Sequence, residues 1–296
     1  MAKKNKIKHM SVASWVCFAF LLVYSICLIG ILYWVGISSL KHRFDFRENV
    51  FGFPSPKWGV YFKNYSNAFR LFRVPVIDKG VPRDVYLLEM LFNSFAYALG
   101  CAIAATFCRF FVAYACAKYK FFGSKAIYAI VIVLMIIPLV GSQAAEIKVA
   151  ITLGLYDSII AQWFMKYSFL GMYFLVFYGI IKGISQDFWD AASLDGAGHA
   201  ALLFKIYIPM CSTSIFGICI MQFIGFWNEW GTALYYLPTH PVVAYGLYKI
   251  QFSTYTDITL PMKFAACFLS SVPSIVLFIL FRDKFMGNIA MGGLKG

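Results

Sequence analysis

Residues 190–209 read DAASLDGAGHAALLFKIYIP, a stretch rich in small residues, with two acids and two glycines, that lies between two very apolar runs. Ser185 or Asp187 can cap a helix at its start, because their side-chain oxygens accept hydrogen bonds from free backbone N–H groups. Asp187 and Asp190 then lie in the first turn, where the helix dipole favours negative charge. The stretch therefore predicts a short helix that leaves an apolar run.

The glycines predict where this helix ends. Gly196 and Gly198 follow the alanines, and glycine adopts a left-handed turn without a steric penalty. A second helix is predicted from near His199 to Pro209, at the start of the next apolar run. A short helix, a glycine turn and a return suit insertion into a cleft of a partner protein. An ordinary amphipathic connector between two spans is the alternative.

Composition places the chain in a membrane. Of its 296 residues 61% are hydrophobic and 13% are charged, with a mean hydropathy of +0.73, whereas about a quarter of the residues of a soluble domain are charged. The net charge of +13 does not indicate a nucleic-acid partner, because the basic residues lie mainly between apolar runs and form no Lys/Arg stripe.

Cysteine and histidine positions predict neither disulfides nor a metal site. No C-x-x-C pair occurs, and every cysteine lies in an apolar stretch, which predicts buried small hydrophobic side chains. The histidines are too scattered for a set of metal ligands. They are His9, His42, His199 and His240.

Apolar runs of the length that crosses a bilayer, roughly 20 residues of helix, predict the fold class. The chain is predicted to be an all-α integral membrane protein with six transmembrane helices. Their ranges are 12–36, 91–115, 125–142, 165–184, 210–229 and 263–282. The first is too long for a signal peptide and is predicted to be retained. The third is the shortest and is closed by Pro138, which favours a kink or a re-entrant segment.

Basic residues in the short connections predict that both termini are cytoplasmic. Residues 1–11 then form a basic cytoplasmic N-terminus, 37–90 an external loop, 91–282 the core domain with a cytoplasmic segment at 185–209, and 283–296 a cytoplasmic tail. The external loop carries nine basic residues, against the usual bias, but long loops count little in this rule.

The 190–209 stretch resembles the E-A-A loop of ATP-binding-cassette importer permeases. That pattern is E-A-A, two residues, D-G-A and a proline twelve residues on. The matching residues, with Asp in place of Glu at the first position, are Asp190, Ala191, Ala192, Asp195, Gly196, Ala197 and Pro209.

Further stretches resemble the maltose-transporter-type permeases of the carbohydrate-uptake family. They are NSFAYAL at 93–99, VAYACAKYKFFGSK at 112–125, LGLYDS at 153–158, FWNEW at 226–230 and GGLKG at 292–296. The resemblance is weak over 66–90, where the chain is longer than the usual connection.

The resemblance implies a type I importer transmembrane domain, a subunit that moves sugar or oligosaccharide across the bacterial cell membrane by alternating access. The expected partners are a homologous second permease, two cytoplasmic ATPases that bind ATP and magnesium, and an extracellular solute-binding protein. The E-A-A helix, between spans four and five, is the coupling helix of that family and lies in a groove of the ATPase. Gly196 is expected to serve a tight contact or turn.

Absent motifs agree with a transport subunit that has no catalysis or cofactor of its own. The chain has no phosphate-binding loop of the G-x-x-x-x-G-K-[ST] type. Only Arg109 lies deep in a predicted span, while Glu146, Lys166 and Glu229 lie near span ends, which disfavours an ion-driven carrier. Arg109 is interpreted as a structural anchor, with a role in the pathway as the alternative.

Residues 227–230 are the candidate substrate contacts. Trp227, Asn228, Glu229 and Trp230 combine flat rings with polar groups, the mixture that sugar sites use. An interfacial aromatic belt explains the same residues without a ligand. The external segments 37–90 and 231–261 are the expected docking surfaces for the binding protein, and the basic charge of 37–90 favours an acidic partner face or an acidic oligosaccharide.

Three other functions stay open at this point. A permease of the same superfamily for a non-sugar solute would be distinguished by the ligand of its binding protein. A self-contained carrier is disfavoured because no 3+3 inverted repeat with broken helices is evident. A membrane enzyme would need a nucleophile, a metal set or paired acids at one depth, and none is evident.

Overall fold

The computed structural model describes residues 12–119, 121–137, 141–252 and 258–292, with side chains through residue 281. The basic terminus 1–11, Pro138 and residues 293–296 of the predicted tail lie outside the described residues. In chain order the elements are α1 Val12–Ser39, α2 Arg43–Glu48, α3 Lys63–Leu71, β1 Arg73–Asp78, β2 Val81–Tyr86, α4 Leu87–Lys118, α5 Ser124–Ile136, α6 Gln143–Thr152, α7 Ile159–Met165, α8 Met172–Gly183, α9 Asp187–Leu194, α10 His199–Trp227, α11 Gly231–Tyr236, α12 Val243–Gln251 and α13 Leu260–Gly292.

Four of the described helices are long and apolar enough to cross a membrane, namely α1, α4, α10 and α13. The predicted spans 125–142 and 165–184 correspond to α5 and α8, which have 13 and 12 residues. At about 1.5 Å per residue these helices are about 20 Å long, shorter than a hydrocarbon core of about 30 Å. Part of the range 125–142 lies outside the described residues. The chain is thus mostly helical with four candidate spans.

The chain divides into two compact units. Unit 1 contains residues up to Leu71 together with Ser253–Leu269, and unit 2 contains Phe72–Phe252 and the remainder of α13. In unit 1 the buried residues of α1 are Ser38 and Ser39 at its end, while the apolar length before them is largely exposed. An apolar helix of this kind needs lipid or another chain to cover it.

The end of α1 is tied to the segment that follows it. Lys41 is buried and donates from Nζ to the carbonyl oxygens of Asn49 at 2.6 Å and Val50 at 3.2 Å. Burial lowers the pKa of Lys41, because removal from water disfavours the charged form. Asn64 of α3 donates to the carbonyls of Ser39 and Lys41, each at 2.8 Å. These bonds give the start of the predicted 37–90 loop a defined shape.

Unit 2 begins with a β-hairpin, which corrects the prediction of an all-α chain. Strands β1 and β2 pair antiparallel from Arg73 opposite Tyr86 to Asp78 opposite Val81. Lys79 and Gly80 form the two-residue turn with φ of 49° and 83°, as tight hairpins require. The alternating Val and polar residues of 73–86 favour strands, but the range was interpreted only as loop.

Helix α4 is the centre of unit 2 and packs against α7, α8 and α10. Small buried residues such as Ala98, Ala102 and Ala105 let neighbouring helices approach closely. One apolar core joins Phe110 of α4, Phe174 and Phe177 of α8, and Tyr207 of α10. A second contains Ala98, Ala102, Phe223 and Trp227.

One further prediction needs correction. Cys17, Cys27 and Cys267 are exposed in the chain, not buried, because lipid-facing positions of a membrane helix are apolar without being covered by the same chain. Helix α13 continues to Gly292, so residues 283–292 of the predicted tail are helical.

Candidate functional site

The predicted coupling segment, residues 185–209, contains α9 and the start of α10. At the beginning of α9 the Ser185 hydroxyl accepts a hydrogen bond from the backbone N–H of Asp187 at 3.2 Å and donates one to its carboxylate at 2.7 Å. Asp187 and Asp190 occupy the first turn, where their charge is favourable. The acids of this stretch therefore stabilise the helix start.

The end of α9 is a glycine turn with two diagnostic bonds. The N–H of Ala197 donates to the carbonyl of Ala192 at 2.9 Å, and that of Gly196 donates to Ser193 at 3.1 Å. These two hydrogen bonds form the Schellman pattern, which requires the residue that donates the second bond, here Gly196, to be left-handed. Gly196 has φ +76°, and no described atom lies within 4 Å of where its Cβ would be. Glycine is therefore required here by the backbone conformation of the turn and not by a close contact within this chain.

Helix α9 presents an exposed apolar face. All eight of its residues are described and none is buried. Leu194 is 89% exposed and Phe188 is 51% exposed. Asp190, Ala191 and Asp195 are exposed as well, while Ala192 and Ala197 are half-buried.

Trp189 attaches α9 to the helices behind it. Its indole ring contacts Tyr119 edge to face with a centroid distance of 5.4 Å, and it also contacts His199 at 6.1 Å and Tyr207 at 6.2 Å. Tyr114 of α4 lies 5.0 Å from Tyr207. We call these five side chains the aromatic cluster. Because it joins the end of α4, α9 and the start of α10, it gives α9 a defined packing contact with both long helices.

A basic residue supports the same junction. Lys118, the last residue of α4, donates from Nζ to the carbonyl of Ile184 at 3.0 Å. Its ammonium also lies 5.2 Å from the centre of the Tyr207 ring. The lysine thereby satisfies a free carbonyl beyond the end of α8 and contacts the aromatic cluster.

Pro209 lies inside α10, so the predicted second helix does not end there. The turn before it, Leu202–Tyr207, is π-helical, and the N–H of Ile208 donates to the carbonyl of Leu203. A proline lacks an N–H and clashes with the carbonyl four residues before it, which favours a wider turn. The helix and the span predicted separately thus form one helix of 29 residues.

Glu229 follows the far end of α10 and accepts three hydrogen bonds. Tyr97 of α4 donates to it at 2.9 Å, Lys166 after α7 forms an ion pair at 3.3 Å, and Thr232 of α11 donates through its hydroxyl. The Glu229 and Lys166 side chains are 33% and 30% exposed. A charge that accepts three donors from three elements holds those elements in place.

The other candidate substrate contacts lie in different surroundings. Trp227 is buried, stacks on Phe223 and donates from Nε1 to the carbonyl of Ser270 at 3.0 Å. Asn228 is exposed and bonds to the carbonyl of Ile224. Trp230 is 39% exposed and stacks on Tyr248 at 4.1 Å with an interplanar angle of 7°. Only Asn228, Glu229 and Trp230 therefore retain accessible surface for a ligand.

The connection between α6 and α7 forms hydrogen bonds with the connection between α11 and α12. Asp157 accepts hydrogen bonds from the backbone N–H and the hydroxyl of Thr239, at 3.0 and 2.7 Å. Tyr236 donates to Glu146 at 3.2 Å, and burial followed by the nearby Glu146 carboxylate raises the pKa of Tyr236 to about 12. Tyr236 thus stays a neutral donor at physiological pH.

Arg109 has the contacts of an anchor. Its Nε donates to the carbonyl of Leu170 at 3.0 Å, in the connection between α7 and α8. Its Nη1 is buried and has no hydrogen-bond partner among the described residues. The bond agrees with the structural interpretation of Arg109.

Sequence reasoning missed the aromatic cluster and Lys118. Aromatic residues make up 19% of the chain, so no spacing distinguishes Tyr114, Tyr119 or Trp189 from other rings. The position of Trp189 between the two acids of α9, on the face opposite the exposed one, is the local signal that was available.

Known proteins of one kind match the chain. A family model described as binding-protein-dependent transport system inner membrane component matches residues 109–285. The diacetylchitobiose uptake system permease protein of Streptomyces coelicolor is 23% identical, over 94% of this chain and 87% of its own length. The melibiose/raffinose/stachyose import permease protein of Bacillus subtilis is 23% identical, over 88% of each.

A solved structure has the same fold. A chain in the crystal structure of a bacterial ABC transporter involved in the import of the acidic polysaccharide alginate superposes with a TM-score of 0.75 at 18% identity. The match covers 94% of this chain and 99% of that one. This likeness concerns the fold alone.

Proposed function

The chain belongs to the family of binding-protein-dependent transport system inner membrane components, and from this premise we propose that it is the permease subunit of an ATP-driven importer of a sugar or oligosaccharide. The names of these relatives support the substrate class, since they are uptake permeases for diacetylchitobiose and for melibiose, raffinose and stachyose. Like those relatives, the chain is a transport subunit and not an enzyme.

One observation carries the mechanism: α9 exposes an apolar face while Trp189 holds it to α4 and α10. Large exposed apolar side chains on a short helix favour a protein partner. We propose that Leu194 and Phe188 insert into a groove of a cytoplasmic ATPase. The residues Asp190, Ala191, Ala192, Asp195, Gly196, Ala197 and Pro209 form and place this coupling segment.

The proposed transport cycle moves the helices between two states. ATP and magnesium bind to two partner ATPases, whose closure displaces α9. The aromatic cluster passes that displacement to α4 and α10, and a homologous second permease completes the pathway. Such rigid-body motion between two packed states gives alternating access. An extracellular binding protein supplies the sugar, and both termini are cytoplasmic.

The six-span arrangement and the substrate contacts are part of this proposal. We propose that α5 and α8 complete the set of spans within the assembled importer, where neighbouring chains cover their short lengths. Asn228, Glu229 and Trp230 are the proposed members of the substrate pathway, because they keep accessible surface, whereas Trp227 supports them from the core.

The proposal is tested by co-purification from the native membrane in mild detergent. We expect an ATPase and a second permease with the tagged wild-type chain, and at least a tenfold loss of the ATPase from Leu194→Asp, because a charge on a buried contact is costly. The matched control is Ile77→Asp on the hairpin, where the residue is 71% exposed. Equal recovery of the ATPase from Leu194→Asp and the wild type would contradict the proposal.

A further inference from the structure

A polar cavity of about 360 Å³ opens in unit 1 beside α2 and α3. Its lining includes His42, Arg43, Phe44, Tyr61 and Asn67. Clefts of about 300 to 1,000 Å³ are typical of small-molecule sites. The cavity thus has the size for a ligand of one or two sugar rings, and it differs from the α9 surface and from residues 227–230.

The imidazole ring of His42 is held in place and has an unused polar atom. The ring stacks on Trp58 with a centroid distance of 4.6 Å and an angle of 11°, and it meets Tyr61 edge to face at 4.9 Å. Its Nδ1 is buried and has no hydrogen-bond partner among the described residues. The imidazole ring is thus a fixed part of the cavity wall.

Arg43 supplies a positive charge that no described acid neutralises. Two arginines of the segment 37–90 are neutralised within the chain, since Arg73 forms an ion pair with Asp84 at 2.7 Å and Arg83 pairs with Glu89 at 2.9 Å. Arg43 has no ion pair in the part of the chain that the structure describes, and its guanidinium lies 4.7 Å from the centre of the Phe44 ring. No Asp or Glu belongs to the described lining. The cavity therefore favours an anion.

The remaining lining suits a carbohydrate. The Phe44 and Tyr61 rings offer flat apolar surface, and the Asn67 amide offers both a donor and an acceptor. A guanidinium binds a carboxylate through two parallel hydrogen bonds. Flat rings, an amide, an imidazole nitrogen and one cation together match a pyranose ring that carries a carboxylate.

We propose that this cavity binds one uronate unit of an acidic carbohydrate, with Arg43 on the carboxylate and with His42 and Asn67 on hydroxyl groups. The carbohydrate class and the external location rest on the proposed function. The cavity then acts as an entry subsite that selects anionic sugar before the substrate enters the pathway.

Saturation-transfer NMR on the purified full-length chain in detergent tests this directly, with D-glucuronate, D-glucose and acetate as probes. We expect glucuronate to bind the wild type and to bind Arg43→Gln at least tenfold more weakly. The matched control, Arg47→Gln, lies in the same short helix but outside the cavity lining, and is expected to bind as the wild type does. Glucose and acetate are each expected to bind at least tenfold more weakly than glucuronate.

Several results would overturn the proposal. Glucuronate affinity that is equal in Arg43→Gln and the wild type, or undetectable in both, removes the site. Acetate that equals glucuronate indicates a simple carboxylate site, and glucose that equals glucuronate removes the preference for charge. Because no ATPase takes part, a negative result here leaves the co-purification test untouched, and loss of the ATPase from Leu194→Asp with normal glucuronate binding separates the two proposals.

Discussion

The two ends of α10 differ in how they are held. At its start, α9 and the glycine turn bury no residue and are attached through Trp189 and the aromatic cluster. At its far end, Glu229 accepts hydrogen bonds from Tyr97, Lys166 and Thr232. The helix between them has 29 residues and is about 43 Å long.

This difference agrees with the division of roles that we propose along one helix. A surface that binds a separate partner must stay exposed and keep its shape by backbone geometry, which the Schellman turn provides. A junction that keeps helices in register benefits from directional, charge-assisted bonds. Changes at the Glu229 end should therefore cost stability, whereas changes at the α9 end should cost coupling.

The largest loss of stability is expected from Gly100→Ala. An added Cβ would overlap the Trp163 indole ring, which is fixed by a hydrogen bond to the carbonyl of Ala96 at 3.1 Å. Overpacking of this kind costs about 3 kcal/mol. Thermal unfolding in detergent measures it, with Gly179→Ala as the control, since no described atom lies within 4 Å of that Cβ position. Equal unfolding temperatures for the two variants would disprove the packing of α7 on α4.

A smaller loss is expected from Glu229→Ala. The change leaves Lys166, Tyr97 and Thr232 without their acceptor. Because the Glu229 and Lys166 side chains are about a third exposed, water replaces part of what is lost, and we expect a total loss of about 2 kcal/mol. Glu229→Gln keeps one acceptor oxygen and should lose less. The control is Glu48→Ala in α2, where this side chain is exposed, and for which we expect no change in unfolding temperature. If Glu229→Ala has the same unfolding temperature as that control, the hydrogen bonds to Glu229 do not stabilise the fold.

The smallest effect on stability is expected from Gly196→Ala. An alanine in the left-handed backbone conformation costs about 1 kcal/mol of folding free energy. This cost arises only at the exposed turn. Uptake by the reconstituted importer should fall severalfold while the unfolding temperature stays within a degree or two. Gly183→Ala is the control, because this glycine is helical and its Cβ position is open. If both variants transport equally, the turn has no role in coupling.

The local structure at the α9 end was largely predictable from the sequence, whereas the hydrogen bonds at the Glu229 end were not. The acids and glycines of 185–209 carry local signals, and the helix, the turn at Gly196 and the restart at His199 have the predicted form. The predicted end of the second helix at Pro209 was wrong, because the sequence does not show that a π-helical turn before the proline lets α10 continue through it. The π-helical turn depends on the continuation of α10, which packing determines.

The Glu229 network could not be predicted, because its members are far apart in the chain. Tyr97, Lys166 and Thr232 meet Glu229 only through the packing of α4, α7 and α11. The lengths of α5 and α8 were also missed, since hydropathy shows where apolar residues lie but not where a helix starts. The hairpin at 73–86 lies where the resemblance to known permeases is weakest.

The central claim is that Trp189 passes the displacement of α9 to the long helices. The most direct test measures ATPase recovery and sugar uptake together for Trp189→Ala in the reconstituted importer, with Trp189→Phe, which keeps an aromatic ring, as the control. We predict that Trp189→Ala retains the ATPase at the wild-type level, because the exposed face of α9 is intact, while uptake falls at least tenfold. Uptake at the wild-type level with the ATPase bound would contradict the claim.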